Sequence, residues 1–187
     1  MNVYDFDNTI YDGESTVDFY MFCLRRNIKL IKLLPMLMIK MLKYKLCLIS
    51  IDELEKYVVK YSKKLIEAVP DPEKTAQEFW EKNFYKIKPF YLSQKKPDDI
   101  ILSASFEFLL KIPATRLGVQ KLICSQFDND KGELIRVCFR NNKVPLLKEY
   151  IGDESVCFYT DSMNDKPVID IADEAYLVKG DIIKKIK

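Results

Sequence analysis

The sequence predicts an α/β fold: a Rossmann-like, doubly wound parallel sheet, interrupted after its first strand by an all-helical insertion. Three observations carry this expectation. Short apolar runs that end in acids or hydroxyls ("NVYDFD", "DDIILSAS", "ESVCFYTDSMND") have the texture of strands buried on both faces of a sheet. Helical spacing fills the stretches between the later runs, as crossover connections require. Between Glu14 and Tyr91, by contrast, every signal is helical. The chain is therefore expected to divide into a core of residues 1–12 and 92–187 and a helical insertion of residues 13–91.

In chain order, "NVYDF" is a short strand that delivers Asp5 and Asp7 to the loop at its C-terminal end. "STVDFYMFCLRR" has apolar residues at helical spacing. Ser50 followed by Glu53 is a capping box that opens another helix. Asp71-Pro72 sets an N-cap residue before a proline at the first helical position. After Pro97, "IILSAS" is a buried strand and "FEFLLKIPATRLG" a crossover helix stopped by Gly118. "QKLICSQF" and "ELIRVCF" flank the turn residues "DNDKG" as a hairpin. "NKVPLLKEYIG" is a helix, "ESVCFYT" a strand, and "KPVIDIADEAYLVK" a last helix and strand.

Composition narrows the chemistry. The 187 residues are 48% hydrophobic and 31% charged, an ordinary globular mix, and the length suffices for one domain with a real core or for a small core plus an insertion. A net charge of +2 gives no global attraction to nucleic acid. The chain has no histidine, which excludes a Ser-His-Asp triad, a His general base and a His-ligated zinc. Five cysteines (Cys23, Cys47, Cys124, Cys138, Cys157) are scattered with no C-x-x-C pair, and no signal-peptide h-region opens the chain. Reduced thiols and a cytoplasmic location are expected.

In open parallel sheets, ligands bind outside the carboxyl ends of the strands. Three strands end in polar clusters that meet at that edge: Asp5 and Asp7; Ser103 and Ser105; Asp161, Ser162, Asn164 and Asp165. Oxygen ligands without His or Cys point to a hard cation, Mg²⁺ where phosphate is also handled. Lys143, just upstream of the last cluster, can return to the same edge. Each feature also has a plain structural reading. A lone D-x-D is a solvated turn, Ser103 satisfies backbone at a strand end, Lys143 is a surface lysine, and Asn164 and Asp165 cap the helix near Lys166. Their order at the ends of successive strands argues against coincidence.

These segments resemble the haloacid dehalogenase superfamily. "DFDNT" matches its D-x-D-x-T first motif, and "IILSAS" is similar to its second, a hydrophobic strand ending in Ser or Thr. Lys143 in "NNKVPLLKEY" sits where the third-motif lysine belongs. "YTDSMND" resembles the fourth motif, with Thr160 in place of the usual Gly. The insertion lies where that family carries a helical C1 cap, and the stretches around the second and fourth motifs look most like the phosphoserine-phosphatase-like branch. The resemblance implies roles. Asp5 is the nucleophile and Asp7 the general acid and base. Asp5, the Asp7 carbonyl and Asp161 hold Mg²⁺, supported by Asp165 and more weakly by Ser162 and Asn164. Thr9, Ser103 and Lys143 bind phosphoryl oxygens. Asp7 also favours phosphate-ester hydrolysis over dehalogenation, because an alkoxide needs a proton to leave and a halide does not; a mutase shares this residue.

For the substrate, Glu14 matches the position at which phosphoserine phosphatases bind the substrate amine; equally, it is an acid complementing a helix N-terminus. The second motif continues as Ser103-Ala104-Ser105 rather than S-G-G, and no cap arginine in an R-V context is found, which argues against strict phosphoserine specificity. Between Phe19 and Ile51 there are seven Lys or Arg and no acid, so this stretch carries +7 and the remainder −5. At about 100° per residue, Lys29, Lys32, Lys40 and Lys43 share a face, and Pro35 divides the helix. Three readings stay open for residues 25–49: a cap buried on itself, a dimer contact, or a basic amphipathic element on anionic lipid. No apolar run approaches the roughly 18 residues of a membrane span. The expected function is a Mg²⁺-dependent phosphatase for a small phosphorylated metabolite. The alternatives are a phospholipid head-group phosphatase docked on membranes, a receiver-type phosphoacceptor, and a non-catalytic binding protein.

Overall fold

Neighbouring residues of the first strand enter different cores. In the computed structural model, β1 (Asn2–Tyr4) sends Val3 into one apolar cluster and Tyr4 into another, and β2 (Ile100–Phe106) divides Ile100 and Leu102 from Ile101 in the same way. Strands buried on both faces need helices on both. The structure describes residues 1–33, 71–128, 133–152 and 154–187, with positions 39, 43, 48–50, 53, 56, 57, 60, 64, 68 and 69 between the first two of these.

The remaining strands are β3 (Lys121–Asp128), β4 (Glu133–Arg136), β5 (Cys157–Thr160), β6 (Glu174–Lys179) and β7 (Ile182–Lys185). They form one sheet in the order β4-β3-β2-β1-β5-β6-β7. The five central strands run parallel, while β4 and β7 pair antiparallel at the two edges. The fold is thus the expected Rossmann-like α/β core with a mixed sheet. The sequence pattern does not predict β7. All four of its side chains are exposed, so no buried face imprints a period on the sequence.

One face packs on α1 (Ser15–Arg26), α2 (Pro72–Asn83), α3 (Pro89–Gln94) and α4 (Glu107–Leu117); the other packs on α5 (Lys143–Ile151) and α6 (Lys166–Ile171). Trp80 on α2 is fully buried, meets Phe6, Tyr11 and Phe79 edge-on, and donates its indole N–H to the Leu109 carbonyl at 2.6 Å. It therefore ties α2 both to α4 and to the loop after β1. The helix ends follow their sequence signals. Asp71 accepts from the Lys74 N–H at 3.0 Å ahead of Pro72, and Gly118 ends α4 at φ +77°. The Ser50 hydroxyl accepts from the Glu53 N–H at 3.1 Å, one half of the expected capping box.

Cys23, Cys124 and Cys138 are buried free thiols and Cys157 is a half-buried one. Cys47, Pro35, Lys40, the side chain of Lys29 and the hairpin turn 129–132 lie outside the described residues. Among the described residues, no helix is long and apolar enough to cross a membrane.

Candidate active site

The sheet order reverses at β1, since the chain passes from β1 to β2 and β3 on one side and returns to β5 and β6 on the other. A crevice opens at such a switch point. The last β1–β5 ladder bond runs from the Asp5 N–H to the Tyr159 carbonyl at 2.8 Å, so Asp5 is the first residue past the strand. Beyond it the chain turns tightly. Ile10 and Tyr11 both donate their N–H to the Phe6 carbonyl at 2.9 Å, and Asn8 takes the left-handed conformation at φ +57°. Stacking of Phe6 on Tyr11 anchors the turn in the aromatic core.

Asp5 is buried and meets Lys143, the equally buried first residue of α5; Lys143 Nζ donates to Asp5 Oδ1 at 3.0 Å. The same ammonium lies 2.9 Å from Asp165 Oδ1 and 3.0 Å from its Oδ2. Thr160 donates its hydroxyl to Asp165 Oδ2 at 3.0 Å and accepts from the Ser162 N–H. The threonine that stands in place of the motif glycine therefore braces the carboxylate that grips Lys143. Burial pushes the Asp5 carboxyl up to about 7, against the downward pull of Lys143, with Asp165 and Asp7 adding repulsion. Burial opposes the charge on Lys143, but Asp5 and Asp165 outweigh it and raise the ammonium above its usual range.

Asp7 is held from two directions. The Ser15 N–H at the start of α1 donates to its Oδ1 at 2.6 Å, and the Ser105 hydroxyl donates to its Oδ2 at 2.8 Å. Ser105 in turn shares hydrogen bonds with the hydroxyls of Ser15 and Thr16. This is possible because the β2–β3 register shifts between Leu102 and Phe106, a bulge that lifts Ser103-Ala104-Ser105 from the regular ladder. Burial raises the Asp7 carboxyl even though the Ser15 and Ser105 bonds favour its charged form.

The other expected residues are spread more widely. Ser103 is buried and accepts from the Ser105 N–H at 3.1 Å. Thr9 is completely enclosed, and its hydroxyl has no partner among the described residues. Glu14 precedes α1 and accepts from Asn8 Nδ2 at 2.6 Å; burial and the nearby Asp7 raise its carboxyl. Asp161 is half-buried and raised by burial, against the pull of Lys179. Ser162 spends its hydroxyl on the Asn164 N–H, and Asn164 is exposed.

Among the described residues, no three His, Cys, Asp or Glu side chains gather as a metal cage. The donors expected from the sequence are the carboxylates of Asp5 and Asp161 and the main-chain carbonyl of Asp7. Such a set suits Mg²⁺, which takes one or two carboxylates and keeps waters. Asp165 has both oxygens engaged by Lys143 and Thr160, which makes it a partner of the lysine in this geometry. Sequence reasoning missed Ser15, whose contribution is a main-chain N–H and so carries no residue signature. It also missed Lys88, a buried lysine whose ammonium donates to the carbonyls of Asn8 and Gly180.

A buried carboxylate–lysine centre thus lies at the switch point of a doubly wound α/β core, with helices inserted after the first strand. Residues 3–170 match the model of the haloacid dehalogenase-like hydrolases, and the chain belongs to that family. Among curated proteins none matches the chain in sequence. Solved structures share the fold at low identity. A protein of unknown function from Bordetella pertussis Tohama I superposes with a TM-score of 0.67 at 19% identity, over 94% of this chain and 87% of that one. A phosphoserine phosphohydrolase-like protein from Francisella tularensis subsp. tularensis SCHU S4 gives 0.62 at 15% identity, over 93% and 84%. A HAD family hydrolase from Salmonella enterica subsp. enterica serovar Typhi gives 0.61 at 11%, over 91% of this chain and 59% of that one.

Proposed function

We propose that this chain is a Mg²⁺-dependent phosphatase that hydrolyses a small phosphomonoester through a phosphorylated Asp5, with residues 13–91 acting as a cap over the core. The observation that carries this reading is the double grip on Asp7, two residues after the buried Asp5. An alkoxide leaving group needs an acid in a fixed place, and Asp7 is held by donors from both the core and the first helix of the insertion.

Asp5 attacks phosphorus, a carboxyl–phosphorus bond forms, and the ester P–O bond breaks as Asp7 gives its proton to the departing oxygen. Asp7 then takes a proton from the water that attacks the aspartyl-phosphate, which releases inorganic phosphate and restores Asp5. Lys143 and Ser103 hold the phosphoryl oxygens through both steps. Asp5, Asp161 and the Asp7 carbonyl would hold Mg²⁺, which would neutralise charge between carboxylate and phosphate. Glu14, beside Asp7 and Asp161, suits contact with a cationic group of the substrate. The phosphohydrolase-like name of the Francisella relative supports the same branch of chemistry.

A panel of phosphorylated metabolites, assayed with Mg²⁺ against an Asp5→Asn control, tests the reading. Turnover that requires Mg²⁺ and vanishes in the variant supports it; equal activity in both proteins refutes the role of Asp5. A second reading, a phosphomonoester presented on lipid, draws on the exposure of Ile31, Ile39 and Leu48 and of Lys32 and Lys43. Sedimentation with anionic vesicles that is lost on charge reversal at Lys32 and Lys43 favours it; no sedimentation removes it.

A further inference from the structure

We infer that Lys88 is a positioning residue, the ammonium that holds Asn8 in its left-handed conformation and thereby fixes the turn carrying Asp7. The geometry stands without the phosphatase reading; only the expected effect on turnover rests on it. Lys88 is 5% exposed, and a buried ammonium persists only where donors find partners. Its Nζ donates to the carbonyl of Asn8 and, at 3.3 Å, to that of Gly180 at the tip between β6 and β7. Its main-chain N–H donates to the Ile10 carbonyl at 2.8 Å. Burial lowers the ammonium, while the carboxylates of Asp12, Asp161 and Asp181 favour its charge. One side chain thus joins the turn after β1, the return of the chain from the insertion, and the terminal hairpin.

Asn8 needs such a clamp. A non-glycine residue at φ +57° is held by its surroundings, even though asparagine tolerates that region better than most. Its N–H donates to Gly13, its amide side chain to Glu14, and its carbonyl receives the Lys88 ammonium. The last is charge-assisted and so about twice as strong as a neutral bond. Lys86, two residues earlier, plays a different part. It pairs with Asp18 at 2.7 Å over the Tyr11 ring and is half-exposed. The segment "KIK" is therefore no basic patch, and of its two lysines it is the second whose ammonium reaches the Asn8 carbonyl.

The experiment compares Lys88→Met, which keeps the apolar stem, with Lys88→Arg, which keeps charge and donors. Amide hydrogen exchange at residues 8–11 is expected to speed about tenfold or more in Lys88→Met, with β2 and β5 unchanged, and to stay near wild type in Lys88→Arg. With p-nitrophenyl phosphate and Mg²⁺, kcat falls roughly ten- to hundredfold in Lys88→Met while KM stays within about threefold; a loosened fold moves both. Unchanged exchange at residues 8–11, or faster exchange with unaltered kcat, overturns the inference. If Lys88→Met does not fold, Lys88→Gln is read in its place. If the wild-type protein turns over no ester, the phosphatase reading falls, while the exchange measurement still decides whether Lys88 holds the turn.

Discussion

Lys143 Nζ and Asp5 Oδ1 lie 3.0 Å apart although 138 residues separate them in the chain. The same ammonium faces Asp165, so one buried cation answers two buried carboxyl groups, and a negative charge is left over once both are ionised. The centre is therefore built to receive more positive charge. Removing the lysine should therefore weaken the metal-free protein, and removing one of the acids should relieve it even where activity is lost.

Lys143→Met tests the first half of that statement. Removing one partner of a buried ion pair typically costs about 3–5 kcal/mol, because the other charges stay buried and unpaired. The urea midpoint of the metal-free protein should drop sharply. Lys143→Met combined with Asp165→Asn should regain part of the loss, since one orphaned carboxylate is then gone. A double variant no more stable than the single one would show that the pair is not coupled through space as the distances require.

The pH dependence of the metal-free protein follows from Asp5. Its carboxyl, raised from 3.8 to about 7 by burial, binds its proton more tightly in the folded chain than in the unfolded one. Between about pH 4 and pH 7 the folded state holds the extra proton, so stability falls as pH rises through that window and stays low above it. Asp7 and Asp161 are raised too and act with the same sign. Lys143 contributes its change only above its ordinary value of 10.5, outside the window. Urea midpoints in EDTA should decline from pH 4.5 to 8, and Asp5→Asn should flatten the decline. A midpoint that climbs over that range contradicts the assignment.

Mg²⁺ should reverse this penalty. An ion that binds only the folded state stabilises it by about 2.7 kcal/mol at a hundredfold excess over Kd. Wild-type protein at pH 8 should melt several degrees higher with Mg²⁺ than with EDTA, and Asp161→Asn should lose most of the increment. Asn164→Ala should keep it, because Asn164 is exposed and lends the turn only its main-chain N–H. An equal increment in wild type and Asp161→Asn would remove Asp161 from the ligand set.

Much of this centre is visible in the sequence because the fold writes it at strand ends. Asp5, Ser103 and Thr160-Asp161 each follow an apolar run, and parallel strands bring such ends to one edge. What escapes has no local signature. Lys88 sits among other lysines in "KIKPF", and its burial depends on the chain returning from the insertion beneath the β1 turn. Ser15 acts through its backbone. β7 has no buried face, so no alternation marks its four residues as a strand. The first motif puts Thr9 at the phosphate, but close packing of the turn encloses its hydroxyl.

Ser105 offers the finest test of the acid. Its hydroxyl donates to Asp7 Oδ2 at 2.8 Å and is steadied by Ser15 and Thr16 across the gap to α1. Ser105→Ala removes one donor from a carboxylate that keeps the other, the Ser15 N–H. A hydrogen bond to a charged group is worth about 1.5–3 kcal/mol, which corresponds to roughly ten- to hundredfold in kcat if the bond steadies Asp7 during proton transfer. KM should change little, because Ser105 lies one residue beyond the Ala104 that separates it from Ser103. With a substrate whose leaving group needs no proton, such as p-nitrophenyl phosphate, formation of the aspartyl-phosphate should be nearly spared and its hydrolysis slowed. Pre-steady-state traces should therefore show a burst of nitrophenol in Ser105→Ala that wild type lacks. Equal slowing of both steps would mean that the hydroxyl supports the β2 bulge as a whole, and that Asp7 takes its place from α1 alone.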